Sequence, residues 1–187
     1  ENINHKQNSE EILIAPSWNY DLKNFINENF IELIDILLNK NQKVIFRPHP
    51  EHYKRSKKIL QEIKSKYVNE NFEFDDNSEN LYAMEKAKCL VTDNSGIAIE
   101  YIAVLKRPVL YFDEFDKIHN DEFKDYSYLQ TIDNQIKKKF GYVFKKNEFD
   151  QIDIIINDSI NDFKNKLPIL NNFINQNFSN FGKTKSE

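Results

Sequence analysis

Short apolar runs alternate with longer stretches of helical period along this chain, and that rhythm leaves few architectures open to it. The apolar runs fall at residues 11–15, 43–46, 72–74, 89–92 and 108–112. Most carry Ile, Val, Leu or Phe at consecutive positions, as strands buried on both faces do. After the first run, Leu22, Phe25, Ile26, Phe30, Leu33, Ile34 and Leu37 form a wide stripe at helical spacing, with Asp21 placed to cap it. A basic amphipathic helix is expected over residues 54–67, with Ile59, Leu60, Ile63 and Tyr67 inward. Residues 79–88 read as a short helix that places Leu81, Tyr82 and Met84 against the sheet, and 96–106 as another. Strands and helices in this order predict βαβ units, and so an α/β fold with a Rossmann-like parallel sheet flanked by helices.

The rhythm weakens after Phe112. Residues 113–140 read as a charged, Tyr-rich connection, partly helical, and 150–164 and 168–178 as two terminal helices separated at Pro168. Residues 1–10 are expected to be a polar linker or disordered, 11–149 a Rossmann-like domain, and 150–187 a helical tail packed on it. Fifteen Phe and nine Tyr against three Gly furnish a core and exclude a low-complexity chain. A net charge of −4 gives no support for nucleic-acid binding. The single cysteine, Cys89, lies in an apolar run and reads as a core residue, with no disulfide framework or thiolate metal site. No apolar stretch has the length of a membrane span and no secretory signal stands out, so a cytoplasmic location is the default expectation. The sequence begins at Glu1, not Met, and is expected to belong to a longer chain.

Two polar turns follow strands. In the first, the run at 89–92 ends in Thr92-Asp93-Asn94-Ser95-Gly96, and a helical pattern begins at Gly96. A strand, a tight turn and a helix start present unpaired backbone N–H groups, and Thr92, Asn94 and Ser95 add side-chain donors. Such a turn suits a phosphate; the competing reading is that Asp93, Asn94 and Ser95 only cap the helix. In the second, Arg47-Pro48-His49-Pro50 follows the run at 43–46. Two prolines stiffen the loop that presents the imidazole, although a lone histidine is more often structural. Ligands of open α/β sheets sit beyond the carboxyl ends of the strands, where both turns would open.

Other groups carry less. Glu100, one helical turn beyond Gly96, is placed to accept from a ribose diol or simply to face solvent. Asp113, Glu114 and Asp116 form an acidic cluster that reads as solvated rather than metal-binding, as do Asp75 and Asp76. His52 reads as solvated, and the basic run at 54–58 as a solvated helix face, with an approach to an anionic membrane or polymer as the lesser alternative. Gly182-Lys183-Thr184 lacks the preceding glycine and strand of a phosphate-binding loop and is set aside.

The ordered set of residues 12–18 (Ile-Leu-Ile-Ala-Pro-Ser-Trp), 47–50 (Arg-Pro-His-Pro), 92–96 and 107–112 (Arg-Pro-Val-Leu-Tyr-Phe) resembles the C-terminal half of CDP-glycerol glycerophosphotransferases. These are the teichoic-acid and capsule polyol-phosphate polymerases. The resemblance covers roughly residues 11–116, with a weaker echo at 181–183. It implies a GT-B architecture in which this chain is the donor-nucleotide half and an N-terminal acceptor domain lies elsewhere. It also implies that Thr92, Asp93, Asn94, Ser95 and Gly96 bind the donor diphosphate, and that His49 and Arg47 serve at the active site. Glu100, Pro16 and Ser17 would face the nucleoside. The donor would be CDP-glycerol or a related nucleotide, and the acceptor a surface polymer. No metal and no further cofactor is assigned. The full-length protein would associate peripherally with the inner face of the plasma membrane, and this half alone would turn over little. Asn94 and Gly96 stand where the family more often has an aromatic and a second Ser. Two other readings remain: a GT-B sugar transferase of capsule synthesis that uses a CMP- or UDP-sugar, and a non-enzymatic α/β module.

Overall fold

The computed structural model describes residues 9–18, 28–79, 81–112 and 131–178. Its centre is one six-stranded sheet in the order β3-β2-β1-β4-β5-β6. The strands are β1 (Glu11–Ile14), β2 (Val44–Phe46), β3 (Phe72–Phe74), β4 (Ala87–Thr92), β5 (Val109–Phe112) and β6 (Tyr142–Phe144), and every neighbouring pair is parallel. Side chains alternate between faces along each strand, and both faces are covered. Ile12, Ile14, Val44, Phe46, Cys89, Val91, Leu110 and Phe112 join one buried cluster. Leu13, Ala15, Ile45, Leu90, Val109 and Tyr111 join the other.

Helices α1 (Glu28–Asn39), α2 (Pro50–Arg55) and α3 (Lys57–Lys66) lie in the connections of the first three strands. Phe30, Leu33, Ile34 and Leu37 of α1, with Leu60 and Ile63 of α3, fill the first cluster. Helix α4 (Leu81–Lys86), helix α5 (Ile97–Glu100) with a wider π-type turn at Tyr101–Leu105, and α6 (Ile132–Phe140) fill the second. The chain thus builds outward from β1 on one side, then returns to β4 and builds outward on the other. The order reverses between β1 and β4, which makes the crevice beyond their carboxyl ends the expected ligand position.

The last helix, α7 (Ile152–Asn177), follows a 3₁₀ segment at Lys146–Gln151. Ile152 and Ile156 belong to the first cluster, and Phe163, Leu170, Phe173 and Ile174 to the second. Between them Ser159 is fully buried, its hydroxyl donating to the Ile156 carbonyl at 2.7 Å.

Several expectations are corrected. Pro168 does not divide the tail, because α7 runs through it as one helix. Pro168 is exposed, so the backbone bond it removes is on the solvent side, while Phe163 and Leu170 anchor the helix on either side of it. The single helix expected over 54–67 is two, broken at Ser56 (φ −132°). Leu81 and Tyr82 are half-exposed; Ala83 and Met84 are the α4 residues that meet the sheet. His52 is fully buried, its ring edge-on to Trp18 at 5.4 Å between centroids. The stretch read as a partly helical connection does hold a helix: Thr131 accepts from the Asn134 N–H and starts α6. The three-residue β6 went unread because Val143 faces out from an edge strand and breaks the apolar run. Asp21, Leu22, Phe25, Ile26, the acidic residues 113–116 and Gly182-Lys183-Thr184 lie outside the described residues.

Cys89 is buried as expected, and burial pushes its thiol up to about 12. Most cations of the basic run are in ion pairs: Lys54 and Arg55 with Glu51, Lys58 with Glu62. None of the described helices is long and apolar enough to cross a membrane.

Candidate functional site

The sheet order sets the residues of the site side by side. From one edge inward come Asp75 after β3, Arg47 and His49 after β2, Pro16 and Ser17 after β1, and Asp93 to Gly96 after β4. Because the strands are parallel, all of these leave the same end of the sheet.

The switch point itself is bridged. Asp93 Oδ1 accepts from the Ser17 N–H at 2.8 Å, and Oδ2 from the Ser17 hydroxyl at 2.7 Å. The fully buried Thr92 hydroxyl donates to the Ala15 carbonyl at 2.6 Å, and the Ala15 N–H donates to Val91 O at 3.0 Å. A carboxylate accepting two hydrogen bonds from one residue fixes both position and orientation. Thr92, Asp93 and Ser17 therefore clamp the two loops together from below.

Above that clamp stand Asn94, Ser95 and Gly96. Ser95 O and Gly96 O accept from the N–H groups of Ala98 and Ile99, which starts α5. Gly96 is the informative residue. Its backbone (φ −58°, ψ −24°) is one any residue adopts, and a Cβ built on it meets nothing within 4 Å. Neither conformation nor internal packing requires glycine there, whereas close approach of an external group would. Glu100 is exposed one helical turn further on.

The β2 loop is equally ordered. His49 caps α2, its Nδ1 accepting from the Glu51 N–H at 3.2 Å, and Pro50 occupies the first helical position. An accepting Nδ1 puts the proton of the neutral imidazole on Nε2. Arg47 Nη1 is 2.5 Å from Asp75 Oδ2, with side-chain exposures of 10% and 0%. The other Asp75 oxygen accepts from the Asn77 backbone N–H and side-chain amide at 3.1 and 2.7 Å. Arg47 thus brings its charge to the crevice already balanced by Asp75, a partner the sequence placed only in a solvated acidic pair.

Two further residues had no role read from the sequence. Trp18, buried at the end of the β1 loop, packs against His52, and Arg55 lies over its ring at 5.7 Å. This contact ties the β1 loop to α2 and so to His49. Lys137 of α6 comes within 3.4 Å of Asn94 Oδ1. Arg107, part of the 107–112 motif, serves the fold instead: its Nη1 donates to the carbonyls of Glu85 and Ala87 at 2.7 and 2.6 Å, capping the end of α4.

Among solved structures, "Crystal Structure of TarM" matches with 19% identity and a TM-score of 0.53, over 94% of this chain and 34% of that one. The wall teichoic acid polymerase TagF matches with 18% identity and a TM-score of 0.44, over 87% of this chain and 39% of that one. The UDP-GlcNAc 2-epimerase of Methanocaldococcus jannaschii, solved with UDP-GlcNAc and UDP, matches with 19% identity and a TM-score of 0.49, over 79% of this chain and 39% of that one. At these identities the TarM match shows a shared fold. The chain spans about two fifths of the TagF and epimerase chains. No curated protein sequence matches the chain. The family model of CDP-glycerol:poly(glycerophosphate) glycerophosphotransferases matches residues 1–165, and the chain belongs to that family.

Proposed function

We propose that this chain is the donor-binding half of a CDP-glycerol glycerophosphotransferase that builds a cell-surface polymer. Residues 11–149 form the nucleotide-binding body, helix α7 packs on it, and a separate domain supplies the acceptor site. The observation that carries the reading is the clamped switch point beneath a glycine whose Cβ direction opens on empty space. Such a place suits a diphosphate lying against backbone N–H groups.

In this reading Asn94, Ser95 and Gly96 meet the diphosphate, and Thr92 and Asp93 hold their turn in shape. Glu100 takes the ribose, with Pro16 and Ser17 forming the wall beside the nucleoside. An acceptor hydroxyl attacks the phosphorus that carries glycerol. The bond from that phosphorus to the oxygen of cytidine monophosphate breaks, and the hydroxyl proton leaves to a base. His49, its ring fixed by the Glu51 N–H, acts on the leaving phosphate or in that proton transfer, beside the Arg47–Asp75 pair. Phosphoryl transfer depends mostly on positioning and charge neutralisation, which rigid loops of this kind supply.

Calorimetric titration with CDP-glycerol, CDP and UDP, on the wild type and on Gly96→Ala, tests the reading. The wild type is expected to prefer the cytidine nucleotides. Gly96→Ala is expected to keep its unfolding temperature and lose roughly tenfold or more in affinity, about 1.4 kcal/mol. A uridine preference would indicate a sugar transferase, and undiminished binding by Gly96→Ala would remove the proposed diphosphate position.

A further inference from the structure

The turn that would hold the diphosphate is poor in positive charge. Its residues are Thr92, Asp93, Asn94, Ser95 and Gly96, so its one formal charge is negative. Arg47 lies beyond β1 from this turn, and its charge is balanced by Asp75. A diphosphate carries more than one negative charge, and its tight binding calls for a cation close to the turn.

Helix α6 brings one from the opposite side. Lys137 Nζ is 3.4 Å from Asn94 Oδ1 and 5.5 Å from the centroid of the Tyr111 ring. Tyr111 is the register partner of Thr92, so the lysine crosses β5 to reach the turn after β4. The direction follows from the topology. In the connection between parallel strands, α6 starts at the crevice end, and helical side chains lean toward their helix N-terminus.

The backbone at this point is held firmly. Ile136 and Phe140 are buried, and the Gly141 N–H donates to the carbonyls of Ile136 and Lys137 at 3.2 and 3.0 Å. A Cβ on Gly141 would lie 2.5 Å from Tyr111 Cε2 and 2.6 Å from Lys137 O, so only glycine lets the helix end press this closely on Tyr111. The neighbouring lysines go elsewhere: Lys138 is exposed, and Lys139 lies over Phe173 at 4.8 Å.

Resting on the donor-binding reading, we infer that Lys137 is a diphosphate-binding residue of this chain. Lys137 Nζ thus already stands beside the turn, and a phosphate oxygen is a stronger acceptor than the neutral amide of Asn94. Lys137 moves from Asn94 onto the donor when it binds, and Asn94 guides it there.

The test compares CDP with cytidine on the 187-residue chain, its Lys137→Met and Lys137→Arg variants, and Lys138→Met as a control. Lys137→Met is expected to weaken CDP roughly tenfold to a hundredfold while leaving cytidine unchanged. Its CDP affinity is also expected to depend less on salt. Lys137→Arg should recover most of the affinity, and Lys138→Met should match the wild type. A purely structural lysine would move CDP and cytidine together. Wild-type CDP binding that Lys137→Met leaves within twofold would overturn the inference and spare the donor reading. Failure of the wild type to bind CDP would overturn both.

Discussion

The Arg47–Asp75 pair shows how residue chemistry and placement separate. The sequence offered a cation after one strand and two acids after another, and nothing local linked them. Parallel pairing of β2 with β3 brings them together, and the Asp75 N–H donating to Phe46 O fixes the approach. Both side chains are almost wholly buried, so removing one strands the other. Asp75→Ala is expected to lower stability by about 3–5 kcal/mol in denaturant unfolding. Arg47→Met combined with Asp75→Ala is expected to regain much of that loss. A single variant within about 1 kcal/mol of wild type would show that the pair is not buried as described. The strand-end motifs were legible because they are contiguous. The roles of Asp75, Trp18, His52 and Lys137 were not, since each acts only through a tertiary contact.

At the scale of elements, four of the five strands read from sequence have runs buried on both faces, and the fifth, the partly buried edge strand β3, shows Phe72 and Phe74 alternating about Glu73. The sixth is an edge strand with Val143 half-exposed, too short to show a pattern. Helix α1 was legible from its stripe, whereas α6 has only Ile136 and Phe140 buried beside four charged residues. The proline rule failed at Pro168 because packing of both halves of α7 outweighs the local cost. That cost remains measurable. Pro168→Ala restores an N–H to the exposed face and is expected to stabilise the protein by about 1–3 kcal/mol. Its thermal midpoint should rise, and a fall would mean that the helix depends on a proline-specific bend.

For the whole molecule, many of the described surface charges sit in ion pairs, and several acids are held low by lysines. Hydrogen bonds from Lys64, Lys40 and Lys54 keep Asp76, Asp153 and Glu51 below the ordinary carboxylate range. Because the folded values lie below the unfolded ones, this stabilisation is full above the ordinary range near ~4 and is lost as pH falls through the depressed values. The unfolding midpoint is therefore expected to drop modestly as pH falls below about 4, and less so in high salt. A midpoint flat between pH 6 and 3 would contradict it. The fold itself was readable because alternation and burial are local properties of each run. The site's location follows from strand order, which only the assembled sheet reveals.

The most direct test of the central claim is to follow backbone amide shifts while CDP is added to the chain. The largest changes are expected at residues 94–97 and at Ser17 and Trp18, on the two sides of the β1–β4 switch point, with little change along α3. Shifts centred on α3, or on the β6 edge, would contradict a donor site at the switch point.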